Sequence, residues 1–183
     1  TLVKLVQPIA PFDRVSVGFP GVVRDGTIVT APNLGNDRLQ GYDLAGALRA
    51  PLRCPVRVAN DATVQGLAAI CGEGIELVVT LGTGFGTALF DGGRPLPTLE
   101  LAHHPFRHEE TYEEQLGKRA LKKIGKKRWN RRLDRAIRIL RLVFQFDRLY
   151  LGGGHSRFVS FPLERDTEIV SNKLGVKGGP RLW

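Results

Sequence analysis

Val58-Ala59-Asn60-Asp61-Ala62 and, a short way downstream, Leu81-Gly82-Thr83-Gly84-Phe85-Gly86-Thr87 decide how this chain is read. Each follows a short apolar run with the composition of a buried strand. The first places an amide and a carboxylate at a strand end. The second places exposed backbone N–H groups and a hydroxyl at a tight glycine turn. A carboxylate able to accept a proton beside a loop able to hold phosphate is the minimum equipment for phosphoryl transfer to an alcohol.

Working outward, Pro55-Val56-Arg57-Val58 reads as a strand leading to Asn60-Asp61, and Ala62 to Ile70 as a helix that stops near Gly72 and Gly74. Residues 76–94 read as strand, glycine turn, strand and a tight Asp91-Gly92-Gly93 turn. Upstream, Val15, Val17 and Phe19 alternate as in a strand. Val22-Val23 and Thr27-Ile28-Val29 flank Arg24-Asp25-Gly26, a hairpin signal. A short helix is expected within 37–48, with Asp43 as its N-cap. Downstream, helices are predicted over 111–124 and 127–145, parted by Gly125. The second turns Leu133, Ala136, Ile137, Leu140, Val143 and Phe144 to one face and Arg128, Arg131, Arg132, Arg135 and Arg138 to the other, where Ile139 and Leu142 intrude. Arg148-Leu149-Tyr150-Leu151 reads as a strand entering Gly152-Gly153-Gly154, and Glu168-Ile169-Val170-Ser171 as one more, followed by an unfinished element. Strands mixed with helices give an α/β class.

The 183 residues, 42% of them hydrophobic and 22 of them glycine, suffice for a real core in one domain or two lobes. The two cysteines, Cys54 and Cys71, have no closely spaced partner; that disfavours a disulfide framework or a cysteine-built zinc site and fits a reducing cytoplasm. No apolar run approaches membrane-spanning length, and the first residues do not have the shape of a signal peptide. The absence of any methionine places Thr1 inside a longer protein or after a removed start. Net charge is +9, and residues 118–141 hold twelve of the 27 basic residues against one acid, Asp134. Such a field favours polyanions, although a solvated helix face explains it equally well.

Taken singly, the sites are weak. Gly82 and Gly84 begin a dinucleotide fingerprint, but Thr87 stands at the third glycine and no helix follows. Asn-Asp at a strand end is common turn chemistry. Glu100 and His103, three apart, share a face on a helical or tight-turn backbone and could grip sugar hydroxyls, or belong with His104 and His108 to a surface cluster. Gly152-Gly153-Gly154 could let a nucleotide lie over backbone or simply turn the chain.

Their order is more specific. From Phe19-Pro20-Gly21 through Asn33 and Asn60-Asp61 to the glycine turn, Glu100-x-x-His103 and Gly152-Gly153-Gly154, the chain resembles the ROK family of sugar kinases, and within it the polyphosphate glucokinase branch. The resemblance, over most of 12–155, implies an actin-like ATPase (ribonuclease H-like) fold of two lobes, with residues 1–74 in the sugar-binding N-terminal lobe and 75–183 in the C-terminal lobe. It implies that Asp61 is the catalytic base and that Asn33, Asn60, Asp61, Glu100 and His103 bind a hexose, glucose first. Gly82, Thr83, Gly84, Gly152 and Gly153 would bind the donor, ATP or inorganic polyphosphate with Mg²⁺. A further sugar-binding glutamate falls at Glu113 or Glu114, which the resemblance does not separate.

Two departures shape the expectations. Where many members carry a zinc-binding cysteine motif, Pro105 to Glu114 has no cysteine, so no structural zinc is expected. The family's first phosphate loop, Asp-x-Gly-Gly-Thr, is absent. The N-terminal lobe is therefore expected to be incomplete, catalysis impaired, and an uncovered sheet edge prone to pair with a second copy. A non-catalytic sugar-binding remnant or a basic nucleic-acid-binding module are the alternatives. The latter finds little support, since Trp129 is the only aromatic within the basic stretch.

Overall fold

The computed structural model describes residues 2–9, 11–32 and 34–183. Helix α1 (Leu2–Val6) precedes strand β1 (Val15–Phe19), the hairpin β2 (Val23–Arg24) and β3 (Thr27–Ile28), helices α2 (Asn36–Leu39) and α3 (Leu44–Leu52), strand β4 (Val56–Asn60) and helix α4 (Asp61–Leu67). Strands β5 (Ile75–Leu81), β6 (Phe85–Asp91), β7 (Arg94–Pro95), β8 (Pro105–Arg107) and β9 (Glu110–Thr111) lead to helices α5 (Tyr112–Leu116) and α6 (Lys118–Phe144). Strands β10 (Arg148–Gly152) and β11 (Thr167–Ile169) precede a 3₁₀ segment, Asn172–Leu182.

The expected hairpin forms because Asp25 (φ 50°) and Gly26 (φ 83°) supply the two left-handed residues of a tight turn. Asp43 caps α3 as expected, its Oδ1 accepting the Gly46 N–H at 2.8 Å. β1 pairs in parallel with β4 from Val15–Val56 to Phe19–Asn60. The larger sheet has the order β11-β10-β5-β6-β7, parallel across β11, β10 and β5, and antiparallel from β5 to β7. Helices cover both of its faces, so β5 is apolar almost continuously rather than alternating. Leu77, Val79 and Leu81 meet Leu116, Trp129, Leu133 and Leu140 of α5 and α6; Val78, Ala88 and Phe90 meet Ala62 and Leu67 of α4.

α6 is broken where expected, at Gly125 (φ 74°, ψ 164°). Gly117 adds a second break that the periodicity did not reveal. Val143, expected in the apolar stripe, is 64% exposed: it falls on the stripe's flank in the last turn of α6, while Leu140 remains in the core. Trp129 is fully buried with its Nε1–H donated to Leu116 O at 2.7 Å, so the one aromatic of the basic stretch is not available for stacking on a base. No helix among the described residues is long and apolar enough to cross a membrane.

Two long-range devices hold these layers together. Glu76 on β5 is fully buried and accepts from the Cys71 and Gly72 N–H groups at 2.9 and 2.7 Å and from the Tyr150 hydroxyl at 2.8 Å. Burial alone would raise its carboxyl, but these hydrogen bonds hold it below the ordinary value, while burial and the Glu76 carboxylate push Tyr150 up. The C-terminal segment winds back over α4 and β1. A Cβ on Gly178 would lie 1.7 Å from Val64 O, Ser16 Oγ donates to Gly179 O at 2.7 Å, and Trp183 Nε1 donates to Ser16 Oγ at 3.0 Å beneath the Arg57 guanidinium. Glu76→Gln is expected to cost about 1–3 kcal/mol in chemical denaturation at neutral pH, because a carboxylate accepting three donors is replaced by a group that must present a donor of its own. Since the folded-state value is depressed, the stabilisation is present above the ordinary carboxylate range and fades as pH falls through the folded value. A variant as stable as the parent at pH 7 would show that the network is dispensable.

Candidate active site

The site is built where β4 passes into α4. Asn60 ends the strand and caps the helix: its Oδ1 accepts the Ala62 and Thr63 N–H groups at 2.9 and 3.4 Å, and its Nδ2 donates to Gly21 O at 3.1 Å. Gly21 is demanded by the fold, since a Cβ there would lie 2.1 Å from Thr30 O. Asp61 opens the helix, with Oδ1 2.8 Å from the Ala62 nitrogen. Its side chain lines an open cleft and keeps solvent access, yet the surrounding protein raises its carboxyl above the ordinary value by partial burial. Backbone N–H groups of Ala62 and Asp61 oppose the shift, and the nearby charge of Glu100 reinforces it.

The cleft encloses about 500 Å³ and brings Asn60 and Asp61 together with Gly82, Thr83, Gly84, Glu100, His103 and Gly153. The turn's glycines differ in what they need. A Cβ on Gly86 would meet Thr80 Oγ1 at 2.3 Å and Ala62 Cβ at 3.3 Å, and one on Gly84 would meet Glu113 Oε2 at 2.2 Å. Packing against Thr80 and Ala62 therefore explains Gly86, whereas at Gly84 the obstacle is only the movable end of the Glu113 side chain. Nothing stands within 4 Å of a Cβ on Gly82, so its bare backbone leaves room for a ligand. Lys118 N, at the head of α6, donates to Thr83 O at 3.1 Å. Gly153 (φ 82°) is held against Leu81, whose oxygen would be 2.3 Å from a Cβ, and Gly154 continues into the cleft. Gly152 lies one step behind the cleft wall, against Val170.

Glu100 and His103 face one another across the turn Leu101–His103, Oε2 to Nε2 3.6 Å, as their spacing required. Glu100 Oε1 also accepts from Thr30 Oγ1 at 3.1 Å. Glu113 reaches the cleft, whereas Glu114 is consumed by a capping box with Thr111 that uses both Thr111 N–H and hydroxyl. Glu113 is thus a cleft residue that the sequence reading left unassigned; the Thr111-x-x-Glu114 pattern was the available signal. His104 turns to Pro105 O instead, Nδ1 to oxygen 2.8 Å. Asn33 lies outside the described residues. Among the described residues no group of three or more His, Cys, Asp or Glu could hold a metal ion by itself.

Comparison with known proteins places the chain in a family. The ROK family model matches residues 1–98, and the chain belongs to the ROK family. It is similar to the polyphosphate glucokinase of Mycobacterium leprae (strain TN), 28% identical across 97% of this chain, and spans 59% of that protein's length. It is 27% identical to the polyphosphate glucokinase of Mycobacterium tuberculosis (strain ATCC 25618 / H37Rv), across 97% of this chain and 72% of that protein. The crystal structure of the inorganic polyphosphate/ATP-glucomannokinase from Arthrobacter sp. strain KM superposes with a TM-score of 0.82 at 29% identity, covering 98% of this chain and 78% of that one. A ROK family glucokinase from Streptomyces griseus, solved with glucose and AMPPNP, gives 0.75 at 16% identity over 99% and 86% of the two chains, a likeness of fold alone. The fold is the actin-like ATPase fold that the resemblance implied.

The raised Asp61 carboxyl has a consequence for stability. Because its folded-state value lies above the unfolded one, the folded protein holds the proton more tightly, and ionisation works against the fold at neutral pH. Asp61→Asn is expected to raise the melting temperature at pH 7, with the gain vanishing below the ordinary carboxyl range, where both states are protonated. A variant that melts lower at pH 7 would contradict this account of the site.

Proposed function

We propose that the cleft binds a hexose, glucose first among the candidates, and passes the terminal phosphoryl group of ATP or inorganic polyphosphate to its primary hydroxyl. The observation that carries this reading is the juxtaposition of the Asp61 carboxylate at one wall of the cleft with a glycine turn and the Glu100–His103 pair lining the same space. A carboxyl lifted above its ordinary value is a stronger base. In this reading Asp61 takes the proton of the primary hydroxyl as that oxygen attacks the terminal phosphorus, help typically worth ~10²–10⁴-fold. Glu100 and His103 hold other sugar hydroxyls, joined by the second amide hydrogen of Asn60 and, by resemblance, Asn33. Gly82, Thr83 and Gly84 hold the donor phosphates from one side; Gly152 and Gly153 shape the donor's far wall.

Mg²⁺ keeps several waters and asks the protein for one or two carboxylates. Glu113, whose carboxylate lies against Gly84 in the cleft, would hold the ion on the phosphate side and leave Asp61 free to take the proton. When bound the ion neutralises charge on the phosphoryl oxygens. No structural zinc belongs to the proposal.

The division into lobes 1–74 and 75–183 is part of it, with the segment Asn172–Leu182 strapped back across α4 and β1. So is a weak turnover by these 183 residues, because they hold no Asp-x-Gly-Gly-Thr loop to grip the donor phosphates opposite the Gly82 turn. Self-association is included as well, since Leu5 and Ile9 are 75% and 74% exposed and β1 pairs only with β4 among the described residues. A cytoplasmic setting completes the reading.

A coupled assay with glucose, Mg²⁺ and either donor tests the function. Asp61→Asn should leave glucose binding nearly intact and cut turnover by about 10²-fold or more. Retention of over about a tenth of parental turnover would remove Asp61 from the role of base. The donor is tested separately. Arg131, Arg135 and Arg138 are exposed on α6 and line no part of the cleft, and Arg138 is paired with Asp134 at 2.6 Å. A long polyanion leaving the cleft past Thr83 and Lys118 would run onto this helix, while a nucleotide would not. Charge reversal at the three arginines should weaken use of long-chain polyphosphate more than ATP, less so in high salt. An equal loss with both donors assigns the face to solubility.

A further inference from the structure

Thr30 follows β3 and has no part in the chemistry above. Its hydroxyl is used twice: Oγ1 accepts the Val22 N–H at 3.0 Å and donates to Glu100 Oε1 at 3.1 Å. A hydroxyl has one proton to give. With the Val22 N–H fixed on a lone pair, that proton is directed at the carboxylate. Glu100 is thereby held at Oε1 by Thr30 from a hairpin 70 positions away in the chain, while His103 Nε2 stands 3.6 Å from Oε2 without a hydrogen bond. Little in the local backbone does this work. Residues 96–100 form no regular element, and the turn that Glu100 precedes has no side-chain cap. Both Thr30 and Glu100 are half-buried, so the contact is sheltered from water without being sealed from the cleft.

We infer that Thr30 is a positioning residue for sugar recognition: its hydroxyl sets the plane of the Glu100 carboxylate so that the remaining lone pairs face the cleft and accept from hexose hydroxyls. The inference rests on the proposed role of Glu100 as a sugar ligand. Thr30 itself touches no sugar in this account. A carboxylate fixed in one plane loses less rotamer freedom on binding and accepts from one arrangement of neighbouring hydroxyls. A free one recognises them more weakly and less selectively. The hydrogen bond also ties the hairpin side of the cleft to the Glu100 side, so a sugar bound at Glu100 meets a wall already docked.

Calorimetric titration of the whole chain with glucose and its epimers tests this. Thr30→Val should weaken glucose binding about three- to tenfold, the cost of letting one long side chain rotate, and narrow the preference for glucose over its epimers. Thr30→Ser, which keeps the hydroxyl, should restore both. In a Glu100→Ala background Thr30→Val should add little, because the group it orients is gone. Thermal melts confirm that each variant folds, and Thr30→Ala makes the same deletion should Thr30→Val not fold. Equal losses from Thr30→Val in both backgrounds, or none in the parent, overturn the positioning role while leaving hexose binding standing. A parent chain that binds no hexose overturns the sugar reading and this inference with it.

Discussion

The Asn60 carboxamide is the constraint on which the cleft depends. One oxygen satisfies N–H groups at the head of α4, and the amide nitrogen ties down the Gly21 carbonyl on the neighbouring chain turn. The strand end, the helix start and the Pro20–Gly21 wall are thus fixed to one small side chain. Asp61 is the next residue and inherits its position from that arrangement. Its neighbour Ala62 packs towards Gly86, so the same helix start sets how closely the carboxylate approaches the glycine turn. A cap residue that also bridges two chain segments makes a rigid mount for the next side chain, which is what the proposed proton transfer requires.

Electrostatics at this mount are arranged at some cost to the fold. Partial burial and the Glu100 carboxylate both act against the charge on Asp61, and only backbone N–H groups oppose them. The contrast with Glu76 is instructive. That carboxylate is fully buried, yet three donors hold it ionised. One carboxylate is enclosed and structural; the other accepts the Ala62 N–H and opens onto the cleft. Strain of this kind concentrates where chemistry is done.

Much of this was legible in the residues. Arg24-Asp25-Gly26 announced a hairpin, Gly125 announced a helix break, and the apolar run before Gly82 announced a buried strand. The three-residue spacing of Glu100 and His103 carried its own geometry. Other features were hidden because they depend on distant partners. Nothing local to Gly178 says that Val64 lies against it, and nothing near Thr30 points to Glu100. The choice between Glu113 and Glu114 was readable, since Thr111 claims the latter as a cap, but only if capping is weighed before sugar binding. Val143 misled because a helix stripe loses its partner on the flank of the last turn.

The central claim is that Asp61, mounted by Asn60, faces the hydroxyl that receives phosphate. A crystal structure of the chain with glucose bound measures this most directly. The account predicts the sugar in the cleft beside Glu100 and His103, with its primary hydroxyl oxygen about 2.6–3.2 Å from an Asp61 carboxylate oxygen and turned to the glycine turn. Glucose bound elsewhere, or bound in the cleft with its primary hydroxyl directed away from Asp61, would contradict it.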